Sequence, residues 1–206
     1  MSPRSRKLSS AAPRPKASAR PRCGLPWSHS ALTLALFSIW LGCTLAPCYA
    51  QTGAQREYGL KAAALYRIIE HVEWPTGSLP ESQPTIQIGV LGQLPFPECL
   101  EVLEGKTVQG RKLVIKRLAD LSAAADCQVL LISASEKSRL SEIMTELQDQ
   151  PVLTVSDVAG FAERGGMVNL VSEQNRIVLE INRKAAVRAR LSLSSELLKL
   201  ARVVAK

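Results

Sequence analysis

Residues 165–182, GGMVNLVSEQNRIVLEIN, break an otherwise regular pattern of strands and helices. Two runs rich in Val, Ile and Leu stand on either side of SEQN (172–175), and the short connection leaves no room for a helix. Apolar runs joined by so few polar residues are typical of an antiparallel β-hairpin. We therefore predict two paired strands at this point of the chain.

Upstream of the hairpin, helix-like and strand-like segments alternate. Apolar residues follow helical spacing in QREYGLKAAALYRIIEHV (55–72), which Pro75 ends, and in SASEKSRLSEIMTELQ (133–148). A shorter helix is predicted in ECLEVLEG (98–105). Four short apolar runs predict strands, and these are TIQIGVL (85–91), KLVIKRL (112–118), QVLLI (128–132) and VLTV (152–155).

Downstream of the hairpin, RKAAVRARL (183–191) and SSELLKLARVV (194–204) predict two terminal helices separated by serines. Strands that alternate with helices form a mostly parallel sheet with helices on its faces. We therefore expect an α/β fold, built as a single domain over residues 57–206. In this fold the hairpin is the antiparallel edge of the sheet, and the two helices end the chain.

The first fifty residues have the order of a secretory signal peptide. A basic start rich in Ser and Pro is followed by the apolar run ALTLALFSIWLGCTLA (31–46) and then by PCYAQ. We expect residues 1–50 to be removed after Ala50 during export to the periplasm. Residues 51–56 are then expected to form a flexible mature N-terminus.

Other fates of the leader stay open. The apolar run is short for an uncleaved membrane anchor. A lipoprotein would need Cys43 as its first residue, and Trp40 stands where such signals prefer leucine. The long basic region also leaves open a start codon downstream of Met1.

The positive charge of the chain belongs to the leader. The whole chain carries 26 basic and 18 acidic residues, but seven of the basic ones precede Gln51 and no acid precedes Glu57. The mature part is therefore close to neutral. Nucleic-acid binding loses its main electrostatic support.

Two cysteines, Cys99 and Cys127, remain once the leader is removed. In an oxidising compartment two cysteines most economically form one disulfide. The alternative is a pair of buried free thiols.

A catalytic set is hard to build from the mature chain, whose one histidine is His71. Histidine-based metal sites and Ser-His-Asp or Cys-His arrangements lack members. The neighbours Glu70 and Glu73 point in other directions on a helix. No phosphate-binding loop or nucleophile motif is present. We therefore expect no catalytic residue and no metal or cofactor.

Two surfaces are candidates for binding a partner. Trp74, the one tryptophan of the mature chain, either packs the helix end against the sheet or is an exposed anchor. The basic run after the hairpin either faces an acidic partner or is only a solvated helix face. Its members are Arg183, Lys184, Arg188 and Arg190.

Six segments, taken in order, resemble the YfiR family of periplasmic proteins. They are YRIIEHVEWP, IQIGVLGQLPF, GKTVQGRKLVIKRL, CQVLLIS, VLTVSDVAGFAERGGMVNLVSEQNRIVLEIN and SSELLKLARVV. The resemblance extends from about Tyr58 to Val204. The helix followed by VEWP and the stretch from LTVSD to EIN are its most specific parts.

The resemblance implies a noncatalytic periplasmic regulator. YfiR-like proteins bind the periplasmic sensory domain of an inner-membrane diguanylate cyclase and hold it inactive. An OmpA-like outer-membrane lipoprotein can sequester the repressor. For this chain the resemblance therefore implies less cyclic di-GMP and less biofilm matrix, with a homodimer left open.

The resemblance also bears on the cysteines. Cys99 and Cys127 match a cysteine pair of the family, which supports the bridge. Ala162 stands where one member of a second family pair is expected. Redox control through a second bridge is therefore doubtful here.

Two further classes of function stay open. A periplasmic small-molecule sensor would bind its ligand beyond the carboxyl ends of the parallel strands. The residues expected there are Gly92, Gln93, Phe96, Ser133, Ser156 and Asp157. The other class is a hydrolytic enzyme with an unusual site, which would have to use residues such as His71 and Asp157.

Overall fold

The computed structural model describes residues 52–79 and 82–204. These residues belong to one compact unit, which spans 50–206. The predicted signal peptide lies outside the described residues. Within them, no helix is both long enough and apolar enough to cross a membrane.

Helix α1 spans Gly53–Glu70 and begins where Thr52 accepts a hydrogen bond from the Gln55 amide. Its apolar stripe is buried and consists of Ala62, Leu65, Ile68 and Ile69. The helix ends at His71, five residues after Tyr66 and well before Pro75. The Gln109 side chain donates to the carbonyls of Ile69, Glu70 and Val72 and satisfies acceptors that the helix end leaves free.

The flexible N-terminus predicted for residues 51–56 is wrong from Gly53 onward, because the first turn of α1 starts there. Local contacts hold this turn in place. Thr52 caps it, and the Cys99 thiol contacts the Gln55 carbonyl at 3.5 Å. The polar residues at 51–56 do not by themselves indicate a helix, because the contact with Cys99 comes from a distant part of the chain.

Within residues 52–79 and 82–204, ten strands follow one another. They are β1 (Val72–Glu73), β2 (Thr85–Leu91), β3 (Thr107–Val108), β4 (Arg111–Leu118), β5 (Val129–Ile132), β6 (Leu153–Ser156), β7 (Val168–Glu173), β8 (Arg176–Ile181), β9 (Ser192–Leu193) and β10 (Arg202–Val203). Eight form one sheet in the order β10-β8-β7-β6-β5-β2-β4-β3, and β1 pairs with β9 in a separate antiparallel ribbon.

The centre of the sheet is parallel. Strands β4, β2, β5, β6 and β7 run in one direction, with Ile88 beside Val129 and Leu131 beside Val155. Strands β7 and β8 form the predicted antiparallel hairpin. Its turn is Gln174–Asn175, and both residues have positive φ, as a two-residue turn matched to strand twist requires.

The remaining helical segments are short. The α-helices are α2 (Pro97–Glu101), α3 (Leu140–Glu146), α4 (Arg183–Arg188) and α5 (Ser195–Leu200), and 3₁₀ segments cover Leu121–Asp126, Ala134–Arg139 and Ala162–Arg164. The predicted helix over 133–148 is thus 3₁₀ in its first part. The two predicted terminal helices exist as α4 and α5, but the second ends at Leu200 rather than at 204. Arg202–Val203 forms strand β10 instead, which pairs in parallel with β8, so β10 and not the predicted hairpin is this edge of the sheet.

Two apolar clusters cover the two faces of the sheet. Successive side chains of a strand point to opposite faces, so Val129 and Leu130 belong to different clusters. The first cluster includes the buried face of α1, and the second includes Leu140 and Ile143 of α3. Helices on both faces of a mostly parallel sheet confirm the predicted α/β class.

Candidate functional site

A mostly apolar cavity lies between helix α1 and the carboxyl ends of the parallel strands. The space within it that a water molecule can enter is only about 30 Å³, which is room for one or two waters. The walls come from α1, from the loop after β2 and from the ends of β5 and β6. They are Tyr58, Lys61, Ala62, Leu65, Leu94, Phe96, Cys99, Leu100, Leu131, Ile132, Asp157 and Leu170.

A hydrogen-bonded cluster of charged side chains closes one side of the cavity. Lys61 Nζ lies 2.8 Å from Asp157 Oδ2 and 2.8 Å from Glu57 Oε1. The Tyr58 hydroxyl donates to the same Asp157 oxygen at 3.1 Å, and the Ser172 hydroxyl donates to Glu57 at 2.6 Å. The Lys61 and Asp157 side chains are only 12% and 15% exposed, so this ion pair is largely shielded from water.

The spacing of residues on α1 explains why the cluster forms. Glu57 and Lys61 are separated by one helical turn, and Tyr58 precedes Lys61 by three residues, so all three share one side of the helix. The Lys61 ammonium lies 4.3 Å from the centre of the Tyr58 ring. That ring in turn lies 5.5 Å from the ring of Phe96, which follows β2.

The contacts within the cluster shift the pKa values of its members. Hydrogen bonds from Lys61 and then from Ser172 lower the pKa of Glu57. Burial would lower the pKa of Lys61, but the hydrogen bonds to Asp157 and Glu57 outweigh it and raise that pKa. Burial, followed by the charge of Asp157, raises the pKa of Tyr58. Lys61 is therefore a stable cation at neutral pH, and the Tyr58 hydroxyl stays a donor.

The lining of the cavity is mostly apolar, and the one histidine among the described residues lies far from it. Apolar walls with a few oriented polar groups are the usual lining of small-ligand sites. His71 lies at the far end of α1, about 15 Å along the helix axis from Lys61, and its carbonyl accepts from the Ser194 amide. Among the described residues no cluster of His, Cys, Asp and Glu could hold a metal ion.

The structure divides the predicted ligand residues between several places. Phe96 and Asp157 line the cavity. Ser133 and Ser156 are buried, and their hydroxyls are engaged by the Gln93 and Ile132 carbonyls. Gly92 and Gln93 line a neighbouring depression with Glu101 and Arg117.

Position 92 requires glycine because of its backbone conformation. Its φ is +85°, and a Cβ at this position would collide with the Ser135 hydroxyl. This close approach lets the Gln93 amide donate to Ser135 Oγ at 3.0 Å. The glycine therefore shapes the loop after β2, on which Phe96 lies.

Sequence reasoning missed Tyr58 and Lys61 as site residues. In the sequence, Tyr58 is one apolar residue of the helical pattern over 55–72, and nothing in that pattern distinguishes Lys61. The Glu57–Lys61 spacing was visible in the sequence, but an acid and a lysine one turn apart are common on solvated helices. The distant partner Asp157 is what distinguishes this pair.

The two predicted partner surfaces differ in exposure. Trp74 is partly buried against the core, and its indole N–H donates to the Gln128 carbonyl at 3.1 Å. The structure therefore gives Trp74 a packing role and leaves only part of the ring accessible. The four basic side chains at 183, 184, 188 and 190 are all exposed.

The structure does not bring the two cysteines together, and both are free thiols. Cys99 lies on α2 beside α1, where its thiol contacts the Gln55 carbonyl. Cys127 is buried near Gly89 on the other face of the sheet, with the Ala123 carbonyl 3.7 Å away. The predicted bridge would have to pass through the sheet, so we correct it to two separate thiols.

Comparisons with solved structures relate the fold to other proteins. A conserved domain protein from Vibrio cholerae superposes with a TM-score of 0.51 at 14% identity, covering 71% of this chain and 59% of that one. The ABC domain from Streptococcus pneumoniae in complex with L-Trp gives a TM-score of 0.45 at 13% identity, covering 58% and 55%. The chain thus spans less than two thirds of either structure, and the likeness to the Vibrio cholerae protein concerns the fold alone.

Sequence comparison identifies the family. No curated protein is similar enough to this chain to count as a relative. A family model described as YfiR/HmsC-like matches residues 58–202, which include nearly all of the described domain and every residue that lines the cavity. The chain belongs to the YfiR/HmsC-like family.

Proposed function

We propose that this protein represses an inner-membrane diguanylate cyclase by binding the periplasmic sensory domain of that enzyme. The family is one of periplasmic, generally noncatalytic regulators. The observation that supports the proposal most strongly is the family match over residues 58–202. The expected result of repression is less cyclic di-GMP and less biofilm matrix.

Repression requires that binding favours the inactive state of the cyclase. A regulator acts on an equilibrium only through a difference in its affinity for the two states. The protein therefore needs a rigid surface rather than a catalytic group. Release of the cyclase then needs a competitor for that surface, for which an OmpA-like outer-membrane lipoprotein is our proposed candidate.

Helix α4 and Arg190, two residues beyond its end, offer the surface that we favour. Ala185 and Ala186 anchor the helix in the core, its other side carries three exposed cations, and Arg190 adds a fourth. Val187, which is 62% exposed, lies among them. An apolar side chain surrounded by charges has the composition of a partner-binding patch, and it fits an acidic partner surface.

Calorimetry with the purified periplasmic domains of the cyclases of the same organism tests this proposal. Charge reversal at Arg183, Lys184 and Arg190 should weaken binding to the target domain by at least about tenfold without lowering the melting temperature. The matched control is Lys137→Glu, an exposed cation away from α4. Equal binding by the reversed variant and the control would exclude this surface. The accessible part of Trp74 would then be tested next.

The cavity supports a second candidate function, a periplasmic sensor of small molecules. Its apolar walls and the Lys61–Asp157 pair suit a ligand with an apolar body and one polar group. Because the cavity volume is only about 30 Å³, such a ligand would have to push the walls apart to bind. A ligand that binds the folded state raises the melting temperature according to its concentration and Kd. A metabolite that does so for the wild type, and fails to do so for Leu131→Phe, would support this function.

A further inference from the structure

A second depression lies apart from the cavity under α1 and shares no lining residue with it. It is formed by α3, the 3₁₀ segment Ala162–Arg164, the end of α4 and one residue of β6. The space within it that a water molecule can enter is about 260 Å³. That is close to the lower end of the volumes of small-molecule sites.

The charges of this depression are all positive. Arg164 and Arg188 line it, and no acidic side chain does. Neither guanidinium makes an ion pair or a hydrogen bond within the described part of the chain. Among the other described arginines, Arg67, Arg117, Arg139 and Arg202 each pair with a glutamate, whereas Arg56, Arg176, Arg183 and Arg190 do not. Two unpaired arginines at one concave surface concentrate positive potential there.

The floor of the depression supplies a buried donor. Thr154 is 2% exposed, and its hydroxyl oxygen accepts from the Met167 amide at 3.1 Å. Within residues 52–79 and 82–204, no oxygen accepts the proton of this hydroxyl. A buried hydroxyl normally donates as well as accepts. Its free proton and the two guanidiniums together suit an acceptor that carries negative charge.

The other walls are of mixed polarity. Ser141, Thr145 and Gln148 recur at helical spacing along α3 and its end, and all three are exposed. Met144 and Met167 supply adaptable apolar contacts. A ligand held here would therefore combine an anionic group with a small body that bears hydroxyl groups.

We propose that this depression binds a small metabolite through an oxyanion, either a phosphate monoester or a carboxylate, held by Arg164, Arg188 and Thr154. The guanidinium fork matches both groups because each presents two oxygens in one plane. This proposal does not depend on the repressor function. Arg188 lies both in this depression and among the exposed cations of α4, so it is left out of the charge reversals that test the partner surface.

Titration of the full chain in a buffer free of phosphate and carboxylate tests the proposal. The probes are glycerol 3-phosphate for the phosphate monoester and malonate for the carboxylate, followed by calorimetry and by the amide NMR signals of Thr154 and Met167. We expect saturable binding of at least one probe that shifts both signals. Arg164→Gln and Arg188→Gln should each raise the Kd about tenfold or more, because each removes a charged hydrogen bond.

The control variant is Lys137→Gln, which removes an exposed cation near α3 without changing the depression. It should leave the Kd unchanged. Thr154→Ser keeps the hydroxyl and should bind as the wild type does, whereas Thr154→Val should bind more weakly. Absence of saturable binding for both probes would overturn the proposal. Binding that survives in the Arg164→Gln, Arg188→Gln double variant would overturn it as well.

Discussion

The Lys61 ammonium lies 2.8 Å from Asp157 Oδ2 and joins the middle of helix α1 to the residue that follows strand β6. The two residues are 96 positions apart in the chain, so the contact forms only when the helix docks on the sheet. This ion pair closes one side of the cavity. It also holds in place the side of α1 on which Tyr58 lies. The position of α1 over the sheet therefore depends partly on one shielded ion pair.

Lys61→Met should destabilise the protein strongly. Removal of one partner leaves the Asp157 carboxylate largely buried without its counterion, and such losses cost about 3 kcal/mol of unfolding free energy. Urea unfolding measures the change. The matched control on the same helix is Arg67→Met, which breaks the exposed pair with Glu70 and should cost less than about 1 kcal/mol. Equal losses for the two variants would contradict the shielding of the Lys61 pair.

The same cluster should make stability depend on pH at both extremes. Glu57 has a lowered pKa when folded, so its contribution is present above its ordinary value of 4.5 and is lost as pH falls through the lower folded value. Lys61 has a raised pKa, so its contribution is complete below 10.5 and is lost as pH rises through the folded value. We expect the difference between the urea midpoints of the wild type and of Lys61→Met to become smaller towards both pH 3 and pH 11. A constant difference would show that the ion pair does not cause the pH dependence.

The sequence predicted the strands because they are aliphatic runs separated by polar turns, and it predicted the hairpin because only a short turn fits between 171 and 176. The strands β1, β3, β9 and β10 have two residues each, which is too short for any periodicity. They exist because neighbouring strands offer hydrogen-bonding partners. Tertiary pairing of this kind leaves no local signal.

The sequence indicated only part of the cavity lining, because tertiary docking leaves no local signal there either. The rule that ligands bind beyond the carboxyl ends of parallel strands led to Phe96 and Asp157, which do line the cavity. It could not lead to Tyr58 and Lys61, because they come from a helix whose docking position depends on the whole fold. The cysteine pairing failed likewise, since the two faces of a sheet cannot be assigned to loop residues from spacing alone.

Gly89→Ala should destabilise the centre of the sheet. A Cβ at this position would lie 2.9 Å from Cys127 Sγ and 2.9 Å from Leu118 Cδ1, both of which are held between β2 and its neighbours. Overpacking of this kind costs about 1–3 kcal/mol of unfolding free energy. Part of the loss should be recovered in the Gly89→Ala, Cys127→Ala double variant, which removes one of the two collisions. Additive losses in the double variant would show that the thiol is not in the way.

The two thiols should be free and should differ in reactivity. Burial raises the pKa of both, and Cys127 is 2% exposed whereas Cys99 is only partly buried. Because the thiolate is the reactive form, iodoacetamide should modify Cys99 first in the native protein and both cysteines after unfolding without reductant. Mass spectrometry counts the labels. An unreduced, unfolded protein that takes up no label would establish the bridge and contradict the structure.

Cyclic di-GMP, quantified in cells that lack this gene, decides between repression and the other functions. We predict that deletion raises cyclic di-GMP, that the wild-type gene restores the lower level, and that the rise disappears when the target membrane cyclase is deleted as well. The reason is that a repressor without its target has nothing to release. An unchanged level under several growth conditions, or a rise that persists when every cyclase with a periplasmic domain is absent, would contradict the proposed function.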